Sequence, residues 1–146
     1  APIAHDHYGW RSAPRCAFRP LADHPLVEVP VTTVEAAGRR MAAGGGGFFR
    51  VLPYGFTRWA IGQVNRRDGR PAIFYFHPWE VDPDQPRVPD APLRSRLRHY
   101  TGLAAMADKL RRLAGDFAWG RMDQVVAGEA PRAIPFGQDA ARAIAA

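Results

Sequence analysis

Cysteine is almost missing: Cys16 stands alone among 146 residues. A single thiol forms no intramolecular disulfide and builds no cysteine-based zinc site. No His–Asn or His–Asp pattern accompanies it, so Cys16 reads as a free thiol rather than a nucleophile. Lysine is as scarce, with Lys109 the only one among 20 basic residues. The longest apolar runs fall far short of the roughly 20 residues that a membrane-spanning helix needs. The start, "APIAHDHYGW", has neither a Met nor a basic-then-apolar leader pattern, as expected of a processed chain or an internal fragment. Gly-x-Ser-x-Gly, His-Glu-x-x-His and paired Cys-x-x-Cys motifs are also missing, so no standard hydrolase nucleophile is visible.

What is present begins with apolar residues at 47%, enough for one ordinary folded domain. The net charge of +6 raises nucleic acid as a partner. The basic residues are scattered, however, apart from "LRSRLRHY" (Leu93 to Tyr100) and "KLRR" (Lys109 to Arg112), and both stretches read as helices with a solvated basic face. Abundant Ala, Gly, Pro and Arg mark a bias of the whole chain. Nucleic acid is therefore not an expected partner.

Along the chain, Pro2, Gly9, Pro14, Pro20 and Pro25 make the first 25 residues an irregular surface loop. "LVEVPVTTV" alternates like a strand, and Pro30 places it at an edge. Four glycines, Gly44 to Gly47, predict a loop whose backbone approaches something closely. Leu52, Phe56, Trp59, Ala60 and Val64 have helical spacing, predicting a helix over 53–67. "PAIFYFH" is apolar on both parities, the pattern of an inner strand buried on both faces. Pro78, Pro83, Pro86, Pro89 and Pro92 then predict a stiff, extended loop. Leu93 to Tyr100 predicts a short helix. Thr101 is a candidate N-cap for a second helix, whose apolar stripe is Leu103, Met106, Ala107, Leu110, Leu113, Ala114 and Phe117. "DFAWGRMDQV" reads as a last strand and turn, and residues 128–146 as an Ala-rich flexible tail. The order of elements is that of an α/β protein, yet about three strands are too few to bury "PAIFYFH" on both faces. The chain reads as part of a larger sheet or barrel.

His77 is the main chemical candidate. It ends the "IFYFH" segment, and in α/β folds catalytic groups gather at the C-terminal ends of strands. Pro78 stops the strand there. Trp79 is placed to wall a sugar ring, and Glu80 to orient the imidazole. A histidine so placed suits general acid–base work; the alternative is a histidine that merely caps a strand end. His5 and His7 share a face across Asp6, a weak two-ligand metal signal without a third ligand. The tetraglycine, with Phe48, Phe49 and Arg50, precedes a helix start. It lacks the Gly-Lys-Ser/Thr of a phosphate loop and reads better as the wall of a binding site than as an anion cradle.

The segments "VEVPVTTV", "GRRMAAGGGGFFRVLPY", "RPAIFYFHPWEVDPDQPRVP", "LRHYTGL" and "LRRLAGDFAWGRMDQV", in this order after "IAHDHYGWRSAPR", resemble one family. It is the C-terminal region of the polysaccharide deacetylases of exosortase-linked exopolysaccharide loci, within the NodB-like carbohydrate esterases. The likeness spans about residues 3 to 126. It implies a deacetylase domain over 1–127 and, as fold, the C-terminal portion of a distorted (β/α) barrel. The implied activity is hydrolysis of N-acetyl groups on the amino sugars of a polysaccharide. A divalent metal, usually zinc, would be held by an aspartate and two histidines of the complete enzyme. His77 matches the family's general-acid histidine, although Tyr75 stands where the wider superfamily has Leu. Trp79, Tyr54, Gly46 and Gly47 would wall the substrate. The family's Thr-Phe-Asp and His-x-x-x-His segments and its arginine–proline motif do not occur here. The expectation is therefore a chain that binds no metal by itself, that needs the N-terminal half of the barrel as partner, that is inert alone, and that is cytoplasmic. The competing expectation is a non-catalytic carbohydrate-binding or interaction module.

Overall fold

The computed structural model describes residues 13–133 apart from Ala22 and Ala130. His5, Asp6 and His7, most of the expected N-terminal loop, and the tail beyond Ala133 lie outside the described residues. In chain order the elements are β1 (Phe18–Arg19), β2 (Thr33–Ala36), β3 (Arg39–Ala42), α1 (Gly46–Val51), α2 (Tyr54–Arg66), a 3-10 turn (Pro78–Val81), α3 (Leu93–Tyr100), α4 (Met106–Asp116), α5 (Met122–Ala127) and β4 (Arg132–Ala133). The described residues are thus mixed α/β, with two small two-stranded sheets. Among them no helix is long and apolar enough to cross a membrane.

The chain divides into two compact units, Ala1–Pro30 with Gly120–Ala146, and Val31–Trp119. In the first unit Phe18 is buried and exchanges backbone hydrogen bonds with Glu28 at 3.1 and 2.8 Å. β1 also pairs in parallel with β4. Two pieces of the expected loop and tail are therefore strand, because a buried Phe18 needs partners for its backbone. The stretch after Gly120, expected as strand, is instead helix α5.

The second unit holds the larger core. β2 and β3 form a hairpin in which Glu35 opposes Arg40. Its turn places Ala37 at φ 49° and Gly38 at φ 71°, the two positive angles that a two-residue hairpin turn requires. The strand expected over Leu26–Val34 forms only from Thr33, runs to Ala36 and folds back. The return strand has no signature in the sequence, because Arg39 and Arg40 are both exposed and break any alternation.

α2 forms close to where the periodicity predicts it. Its buried face is Tyr54, Thr57, Ala60, Ile61 and Val64, and Trp59 points outward instead. Phe49, Tyr54, Ile61, Met106 and Leu113 make the principal core, with Ala72, Phe74, Leu110 and Phe117 packed against it. Val34, Ala43 and Ala60 form a second cluster with Met41. The stripe predicted on α4 is mostly this core; Ala114 alone of its residues is exposed. Thr101, expected as the α4 N-cap, instead ends α3, and α4 starts at Met106.

The largest departure concerns "PAIFYFH". It is not an inner strand buried on both faces. Tyr75 and Phe76 are 40% and 43% exposed. One edge is partnered: Tyr75 N–H donates to Gly44 O at 2.8 Å, and Gly46 N–H donates to Tyr75 O at 2.9 Å. Ile73 N–H donates to Thr32 Oγ1. Among the described residues no strand pairs with the other edge, and nothing covers the Tyr75 and Phe76 rings fully.

Candidate functional site

Glycine makes the close approach at residues 44–46 possible. A Cβ on Gly44 would strike Ile73 O, and one on Gly46 would strike the Glu80 carboxylate. The predicted all-loop character of the run holds only for its first half, because Gly46 and Gly47 open α1. What the glycine backbone approaches is the chain itself: the 73–75 segment and the side chain of Glu80. A helix can begin here despite its glycines because Gly46 N–H is taken by Tyr75 O and Phe49 N–H by Gly45 O.

Arg50 lies one turn further along α1, and its side chain is 2% exposed, as is that of Glu80. Arg50 Nε donates to Glu80 Oε1 at 3.0 Å. Nη1 donates to His99 O and Thr101 O, both at 2.8 Å, and Nη2 to Arg98 O at 3.3 Å. The guanidinium therefore sits at the C-terminal end of α3, where free carbonyls and the helix dipole favour a cation. The second carboxylate oxygen, Glu80 Oε2, accepts the His77 backbone N–H at 2.8 Å. Glu80 was expected to orient the imidazole directly; it fixes the main chain of His77 instead.

Proline at the first position of the 3-10 turn and Glu80 at its third explain the local geometry. His77 lies just before that turn in extended backbone, φ −97° and ψ 145°, as a residue before proline must. Its side chain is exposed. Its ring stacks on Trp79, with centroids 5.8 Å apart and planes 7° apart, and meets the Tyr75 ring edge-on at 5.7 Å. Trp79 also stacks on His99 at 4.2 Å and lies 5.1 Å from the Arg50 guanidinium. Gln85 fixes the far side: its Nε2 donates to Trp79 O at 2.8 Å and Asp82 O at 2.9 Å. Its Oε1 then faces His99 Nε2 at 2.8 Å, which assigns the proton to that nitrogen.

The residues expected around the site separate into two groups. His77, Trp79 and Gly46 come together, joined through Glu80. Gly47 is exposed, with open space where a side chain would be. Tyr54, expected as a substrate wall, is a core residue at 7% exposure. Its hydroxyl donates to Asp116 Oδ2 at 2.6 Å, and Arg112 lies over its ring at 4.3 Å. Burial, and after it the Asp116 hydrogen bond, pushes the phenol up to about 12. Asp116 is held below its usual range, first by that hydrogen bond and then by Arg58. Lys109, expected on a solvated face, is half-buried and donates to Phe49 O, Arg50 O and Leu52 O at 3.0, 3.0 and 2.9 Å. It caps the end of α1, and burial lowers its pKa.

Arg50 and His99 are the residues the sequence did not single out for this role. The signal for Arg50 was a charged residue inside the apolar "FFRVL", which demanded a buried partner. His99 offered none, lying in an arginine-rich helix. Among the described residues no group of three or more His, Cys, Asp or Glu stands close enough to hold a metal ion. The described residues do not fit a metal.

No curated protein and no solved structure matches the chain. A family description does match, over residues 1–127. The chain belongs to the family described as Domain of unknown function (DUF3473).

Proposed function

We propose that residues 1–127 are the C-terminal part of a polysaccharide deacetylase that hydrolyses N-acetyl groups of amino sugars. His77 is its general acid, protonating the amine as the carbon–nitrogen bond breaks. The distorted (β/α) barrel, the divalent metal of the complete enzyme and a cytoplasmic location belong to the same proposal. Two lines support it. The deacetylase-like motifs occupy the same stretch as the family match. And among the described residues His77 is the one histidine placed as an acid should be: exposed, at the end of a partnered segment, with its backbone fixed by Glu80 and its ring plane set by Trp79. That placement is the observation that carries the reading, since a general acid must meet its substrate in a fixed geometry.

The test is acetate release from N-acetylglucosamine oligomers by the enzyme extended through its N-terminal half. His77→Ala should lower turnover by about a hundred- to ten-thousand-fold, the usual worth of a general acid, while bound metal per chain is unchanged. Undiminished turnover removes His77 from the mechanism. The exposed rings of Tyr75 and Phe76 favour a second reading, a sugar-binding module without chemistry. That reading requires the same oligomers to bind and never lose acetate in the extended protein.

A further inference from the structure

Resting on that reading, we propose that Glu80 and Arg50 are positioning residues for His77, and that Gly46 is the glycine that admits them. Three segments meet at this pair. Glu80 Oε2 holds the His77 N–H, while Glu80 Oε1 holds Arg50. Arg50 in turn holds the carbonyls of Arg98, His99 and Thr101. The rings repeat the same connection in parallel, because His99 stacks on Trp79 and Trp79 on His77. The backbone of His77 and the ring stack beneath its imidazole are therefore fixed through one guanidinium.

A need for stability alone accounts poorly for this arrangement. A buried ion pair must overcome the desolvation of both charges, and well-packed apolar residues often do as well or better. Such a pair does what apolar packing cannot: it fixes direction, through hydrogen bonds of defined geometry at both oxygens of the carboxylate. Gly46 belongs to the device because any side chain there would displace Glu80.

The experiment uses the whole chain for one readout and the extended enzyme for the other. The ring protons of His77, assigned by their loss in His77→Ala, should be shifted upfield by the Trp79 ring current. Glu80→Gln keeps the size of the side chain, and its single carbonyl oxygen cannot serve both donors. In that variant the upfield shift should fall by half or more while circular dichroism is unchanged. In the extended enzyme its kcat should fall about 10- to 100-fold with KM unmoved, as expected for a displaced acid. Val64→Ala, a core truncation on α2, should lower stability and leave both readouts alone. A Glu80→Gln protein with the wild-type His77 shift overturns the proposal, and so does one whose kcat falls no more than that of Val64→Ala. If the His77 shift collapses while His77→Ala itself deacetylates normally, the positioning stands and the general-acid assignment fails.

Discussion

Replacing Arg50 by Met should be among the most damaging single changes in the 31–119 unit. Arg50 and Glu80 lie 3.0 Å apart with side chains only 2% exposed. At an effective dielectric of about 20, the gross attraction at that distance is about 5 to 6 kcal/mol. The net worth of the pair is smaller, because both charges were desolvated to form it. Removing Arg50 strands a buried carboxylate and frees three carbonyls at the end of α3. Breaking a buried pair from one side costs about 3 to 5 kcal/mol, which is a large part of a small domain's stability. Glu80→Leu should cost less, since the guanidinium keeps its three carbonyls. The double variant should be less damaged than the two single losses summed, with a coupling of about 1 to 3 kcal/mol. Urea unfolding followed by tryptophan fluorescence is the assay, read as a fall in midpoint at constant slope. Strict additivity, with Arg50→Met costing less than about 1 kcal/mol, would refute the reasoning.

Tyr54 gives an alkaline prediction. Its folded pKa of about 12 lies above the ordinary 10, so its contribution is complete below pH 10 and is lost as pH rises through about 12. Wild-type protein should lose more stability across that window than Tyr54→Phe, and parallel curves would contradict the assignment. Gly102 adopts φ 76°, and a Cβ there would press on the Arg50 carbonyl. Gly102→Ala should therefore cost about 1 to 3 kcal/mol and lower the thermal midpoint, whereas Gly47→Ala, with open space around it, should cost less than Gly102→Ala in the same scan.

Local signals were legible in the sequence. The helical spacing of Leu52, Phe56, Trp59, Ala60 and Val64 placed α2 close to its observed limits, and the stripe from Leu103 to Phe117 placed α4 but not its start, because periodicity reports a buried face better than a helix end. Pro78 marked the end of the His77 segment, because proline constrains the residue before it wherever it occurs. The glycine run announced a close approach. These features follow from a few neighbouring residues, and His77 was legible for the same reason.

Tertiary structure decided what each of those features touches. The apolar parity of "PAIFYFH" matched an inner strand, but exposure depends on what covers both faces, and among the described residues Tyr75 and Phe76 are not covered. Tyr54, expected to wall a substrate, and Lys109, expected on a solvated face, are enclosed by packing, one against Asp116 and the other over the end of α1. The partner of the glycine run was Glu80, about thirty-four positions away, and that of Arg50 was the end of α3. No rule of spacing joins residues 46, 50, 80 and 99. Their association depends on burying two charges together at one point, and only the folded chain brings that point into being.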